Sequence, residues 1–190
     1  MDSIVLLLII FVALAVGAAA AWFFTQQRRR TALREQFGPE YERAVRETGD
    51  RKAAERELEH RTERVESLDI HPLSPDQRRR FADQWRQVQA RFVDSPSEAI
   101  ADADRLVTET MQSKGYPMGE FEQRAADVSV KHPRVVEHYR AARAISLRNQ
   151  RGEASTEDLR QAMVHYRALF EDLLEPRSNE ELEVRIEKAS

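Results

Sequence analysis

Histidines are the first residues here whose type suggests chemistry. There are five, His60, His71, His132, His138 and His165, and no cysteine. His132, His138 and His165 together with Glu137 would form a metal site if the last two helices faced each other. No HExxH motif and no close His–x3–His pair supports that geometry, so the spacing alone assigns no metal ligand. Asp94, Asp102, Asp104 and Glu109 cluster around a second stretch. Asp102 and Glu109 are seven apart and share a helical face, whereas Asp104 points elsewhere. Paired-carboxylate catalysis needs a pocket and raised pKa values, and a solvated face explains the cluster more simply. Ser74, Ser95 and Ser155 each precede a helical pattern, where capping accounts for them. GxSxG, Walker A and GxGxxG motifs are all missing from the sequence. The expectation is a non-enzymatic chain with no catalytic residue, no metal, no cofactor and no identified small-molecule substrate.

The elements that would position such residues are helical throughout. The strongest of them is an uncharged run of about twenty residues, Ile4–Phe24, long enough as a helix to cross the ~30 Å hydrocarbon core of a bilayer. Trp22, Phe23 and Phe24 close it at the level of an aromatic belt, and Arg28, Arg29 and Arg30 follow. This asymmetry of basic residues predicts a single-pass anchor with the C-terminal side in the cytoplasm, at the inner or plasma membrane. The alternative is export after signal-peptide cleavage near Ala18–Ala21. It lacks a positively charged region ahead of the apolar run.

Charged residues make up 33% of the chain and the net charge is only −3, so no global basic field points to nucleic acid. The absence of cysteine excludes disulfides, thiolate metal sites and a cysteine nucleophile. Four organisational segments are expected: an anchor at 1–27, a charged helical stalk at 28–71, a helical bundle at 72–176 and an acidic tail at 177–190. In the stalk, Gly38-Pro39 and Gly49-Asp50 interrupt the helix. A thin apolar stripe of Ala54, Leu58, Val65 and Leu68 allows a short coiled-coil seam, although sustained heptads are missing. Ile70–Pro75 reads as the linker to the bundle.

The bundle shows four to five amphipathic helices and no strand pattern, which sets the fold class as all-α. Ser74 and Pro75 open the first, with Phe81, Trp85, Val88 and Phe92 on one face. Ser95-Pro96-Ser97-Glu98 has capping-box spacing and starts the second, whose inward face is Ile100, Ala103, Leu106, Val107 and Met111. The short connection around Asp94 makes these two antiparallel neighbours. Gly115 fits the helix end. Later helices carry Phe121, Ala125 and Val128; then Val135, Val136, Tyr139 and Ala142; then Leu159, Met163, Tyr166, Leu169, Phe170 and Leu173, capped at Ser155. His138-Tyr139-Arg140-Ala141 recurs as His165-Tyr166-Arg167-Ala168, a short internal echo with each Tyr on an apolar stripe.

Arg78, Arg79 and Arg80 form the strongest basic cluster outside the juxtamembrane stretch. With Trp85 they make a candidate interaction face, for nucleic acid or anionic lipid in the alternative reading. The run WRQVQARFVDSPSEAIADADRLVTETM (Trp85–Met111) resembles a helical-hairpin module of uncharacterised bacterial proteins. ASTEDLRQAMVHYRALFEDLL (Ala154–Leu174) is similar to the end of small, actinobacterial-like membrane-anchored proteins of unknown function. The resemblance implies a bacterial membrane protein and brings no catalytic motif. Partners expected from the sequence are a lipid bilayer and another protein or a second copy of the chain.

Overall fold

A computed structural model describes the backbone of residues 2–175; the side chains at 2–10, 12, 13, 15 and 19 lie outside the described residues. Most of the expected anchor falls on those side chains, and the expected tail and the closing Pro176 lie outside the description altogether. Among the described residues every regular element is a helix: α1 (Asp2–Phe37), α2 (Pro39–Thr48), α3 (Arg51–Glu66), α4 (Pro75–Asp94), α5 (Pro96–Ser113), α6 (Phe121–Lys131), α7 (Val136–Gln150) and α8 (Thr156–Leu174). Among the described residues no helix is long and apolar enough to cross a membrane. The chain packs as two compact units, Met1–Leu58 and Glu59–Ser190.

In the first unit, the expected breaks occur where glycine permits them. Gly38 (φ 49°) and Gly49 (φ 67°) take positive φ, which a residue with a Cβ adopts only at a cost. Pro39 then starts α2 and the Gly49 N–H closes it on Val45 C=O. The stalk sequence nevertheless has an inside: Leu33, Phe37, Tyr41, Ala44, Ala54 and Leu58 are buried. Glu40 and Glu55 are buried with them. The Tyr41 hydroxyl donates to Glu55 at 2.9 Å, and Arg30 pairs with the same carboxylate at 3.2 Å. A buried carboxylate is tolerated when cations and donors surround it in this way.

The second unit holds the core. Its buried cluster runs from Leu73 through Phe81, Trp85, Ile100, Val107, Met111, Val136 and Tyr139 to Tyr166, Phe170 and Leu173. These residues recur at spacings of three and four on α4, α5, α7 and α8, which is why each helix has one apolar face to bury. Helix α5 contacts α4, α7 and α8; α7 also contacts α6 and α8. The segment expected as a linker packs within this unit: the His71 N–H donates to Lys114 C=O at 2.9 Å, and Leu73 belongs to the core.

Two of the helix starts follow the sequence closely. Ser74 and Ser155 both accept from the N–H three residues on, while Gln77 and Asp158 reach back to the cap N–H. The capping box expected at Ser95 does not form, because Ser95 makes no side-chain cap bond. This residue alone joins α4 to α5: its N–H ends α4 on Arg91 C=O and its C=O begins α5 with the Ala99 N–H. Its backbone (φ −139°, ψ 69°) serves both helices and leaves the hydroxyl outside the cap. Ser97 bonds Asn149 instead, at 2.8 Å.

Candidate functional site

The most organised polar group in the second unit centres on Asp104 of α5. One carboxylate oxygen accepts from the Tyr166 hydroxyl of α8 at 2.8 Å; the other accepts from Arg143 of α7 at 2.9 Å. Three helices thus converge on one side chain. Burial first, and then the facing Asp104 charge, push the Tyr166 phenol far above its ordinary range. Tyr139 is also raised by burial, with the Arg124 guanidinium pulling the other way. Arg143 also lies over the Phe121 ring, 5.8 Å from its centroid, and Phe121 packs against Tyr139 at 4.8 Å. Chemically the arrangement is a satisfied carboxylate that holds helices together.

The other carboxylates separate as their spacing implies. Asp102 and Glu109 line a shallow groove of about 290 Å³ between α4 and α5, with Gln84, Gln87, Arg91 and Arg105. Asp102 is bridged by Arg91 and, at 2.6 Å, by Arg105. Its charge is answered on two sides. Asp94 is exposed at the end of α4.

The histidines go to three different places. His60 and His71 are exposed. His132 is buried and its Nδ1 meets Asp172 of α8. His138 and His165 meet each other, with their Nδ1 atoms 2.9 Å apart. Burial lowers the proton affinity of His165, and His138 beside it adds to the effect. Glu137 is exposed and faces Arg140 at 3.4 Å. The four-residue grouping considered from sequence therefore divides, and among the described residues no cluster of three or more His, Cys, Asp or Glu is placed to hold a metal ion.

The candidate interaction face needs one correction. Trp85 is not available to a partner: it is buried at 5% exposure and stacks on Phe170, with ring centroids 4.7 Å apart and planes 17° from parallel. Its place on the α4 stripe with Phe81 and Val88 puts it in the core. Arg79 is exposed and pairs with Asp76 one turn back, and Arg80 covers the Phe81 ring at 5.1 Å. Arg78 is half-buried. In the first unit Trp22, Phe23 and Phe24 are all exposed, as are Arg28 and Arg29, whereas Arg30 is drawn onto Glu55.

Three groupings escaped the sequence reading. The Asp104–Tyr166–Arg143 junction and the His132–Asp172 contact each join helices far apart in the chain. Asp127, buried on α6, accepts from Arg64 at 3.0 Å and from Gln123 at 2.8 Å. Only the last pair carried a local signal, the four-residue spacing of Gln123 and Asp127. The chain matches no protein-family model, and no curated protein or solved structure is detectably similar to it.

Proposed function

We propose that this chain is a single-pass membrane protein whose helical bundle serves as a protein-interaction or self-association module on the cytoplasmic side. The observation that carries the reading is the uncharged run Ile4–Phe24 within the continuous helix Asp2–Phe37. Its 36 residues would extend about 54 Å, more than a ~30 Å hydrocarbon core requires. Exposed Trp22, Phe23 and Phe24 suit the headgroup level, and exposed Arg28 and Arg29 suit the cytoplasmic side of it. The Asp104 junction, where the carboxylate and its two partners satisfy one another, supports a structural role for the bundle.

Membrane fractionation followed by alkaline carbonate washing tests the anchor: the chain stays in the pellet if the run spans the bilayer. Recovery in the wash would overturn it, and so would a mature N-terminus near Ala18–Ala21. Protease added outside intact cells tests orientation, with the bundle expected to survive. Cross-linking in detergent with the anchor intact should trap a stoichiometric partner or a second copy. A strictly monomeric, partnerless chain would remove the interaction role.

A further inference from the structure

His138 and His165 stand at equivalent positions of the repeated string His-Tyr-Arg-Ala, on the paired helices α7 and α8. Tyr139 and Tyr166, the next residues, are fully buried and fix each helix in register. Polar contacts run along this seam in antiparallel order: Arg148 with Asp158 at 2.7 Å, then His138 with His165, then His132 with Asp172. The outer two set a basic group against a carboxylate. The middle one sets two bases against each other. Its Nδ1 atoms are 2.9 Å apart, the ring centroids 5.1 Å apart and the planes 30° from parallel. Rings placed head to head in this way share one hydrogen bond, which uses one N–H and one lone pair.

We propose that His138 and His165 form an acid-sensitive clasp between α7 and α8, which holds when one proton is added and opens when a second is. In the neutral pair one Nδ1 donates its hydrogen to the other. The first added proton goes to Nε2 of the donor ring, and the bond persists with a charged donor. The second must take the accepting Nδ1 lone pair, because Nε2 of that ring already carries its hydrogen. Two N–H groups and two positive charges then face each other, and the contact opens. Burial, and then the neighbouring His138, lower the proton affinity of His165, in the direction this requires. Carboxylates on the elements packed around the seam have partners of their own: Asp104 of α5 has Tyr166 and Arg143, Asp127 of α6 has Arg64 and Gln123, and Glu137 of α7 has Arg140. Asp158 and Asp172 of α8 are held as described. Arg124 of α6 acts on Tyr139, and Arg134 and Arg167, which flank the pair in sequence, are exposed. The unfolded chain takes both protons at about pH 6.5, whereas the folded pair resists the second. The clasp therefore contributes fully above that range, and its contribution is lost as pH falls below it toward the lowered folded value.

NMR of the full chain in detergent, with its histidine nitrogens isotope-labelled, tests the clasp without any variant. At about pH 7.5 a nitrogen–nitrogen coupling should join the two Nδ1 atoms through the hydrogen bond. The rings should titrate in two separate steps, and the coupling should survive the first and vanish with the second. A missing coupling at about pH 7.5, or a single shared step in the ordinary histidine range, would overturn the proposal. Urea midpoints at about pH 7.5 and about pH 5.5 read the consequence for the bundle. His165→Gln leaves His138 an amide oxygen to donate to in either protonation state, so its midpoint should fall less over that interval than the parent's. His132, Asp172 and the exposed His60 and His71 are common to both proteins and cancel in the comparison. Equal falls would show that the pair carries no acid sensitivity. Neither measurement depends on whether the chain is anchored in a membrane.

Discussion

Tyr166 donates its hydroxyl hydrogen to Asp104 across 62 positions of sequence, at 2.8 Å. The bond ties α8 to α5, and Arg143 ties α7 to the same carboxylate. Removing the hydroxyl in Tyr166→Phe leaves one Asp104 oxygen without its donor while the ring still fills the core. The expected loss is about 1.5–3 kcal/mol, typical of a hydrogen bond to a charged group. Urea unfolding checks it; a variant as stable as the parent would mean that the bond contributes nothing net.

Alkaline pH should weaken the bundle. Burial raises both Tyr139 and Tyr166 above the ordinary phenol range. The folded chain therefore keeps protons that the unfolded chain releases. Their contribution is complete below about pH 10 and declines as pH rises above it. Absorbance at 295 nm should show these two phenols ionising only together with unfolding, and free titration of all four tyrosines near pH 10 would contradict this.

Gly115 is the glycine least able to accept a side chain. It takes φ 94°, and a Cβ there would lie 2.0 Å from Asp69 C=O, a backbone atom that cannot swing aside. Gly115→Ala should cost about 3 kcal/mol or more. Gly152 also has positive φ (72°) but faces open space, so Gly152→Ala should cost only about 1–2 kcal/mol. Equal losses in thermal melts would refute the steric account.

Trp85→Ala should destabilise the bundle by about 3–5 kcal/mol, because it empties the stack on Phe170. Trp85→Phe keeps a stacking ring and should lose clearly less. A near-neutral alanine variant, measured by denaturant midpoint, would return this residue to the surface.

Ser155 sets the titration of Asp158. Its hydroxyl and then its backbone N–H, with Arg148 behind them, hold the carboxyl at about 2. The contribution is present above the ordinary aspartate range and is lost as pH falls toward that lower value. In Ser155→Ala, carboxyl-carbon NMR should show Asp158 titrating higher than in the parent; an unmoved curve would mean the cap is not the cause.

Helical periodicity made the core legible. Phe81, Trp85 and Val88, and the α8 series from Leu159 to Leu173, repeat at three and four and are buried as that spacing requires. Caps at Ser74 and Ser155 could be read because all their atoms come from within four residues. Ser95 failed for a related reason: the spacing was right, but a residue shared by two helices has one backbone conformation to offer. Contacts between helices were not legible. Asp104 meeting Tyr166, or His138 meeting His165, depends on the axial register of packed helices, which no local pattern specifies. Charge density misled as well, since Glu40 and Glu55 are buried within the stretch that reads as a charged stalk.

The one-residue joint at Ser95 also orders the assembly of the chain in time. Helices α4 and α5 reverse direction with almost no loop to close, so their pairing asks little of chain entropy. The contact of α5 with α8 must instead gather the whole stretch between them. During synthesis the α4–α5 pair can therefore form as soon as both helices leave the ribosome. Its α8-facing surface then stays open until α8 has been made.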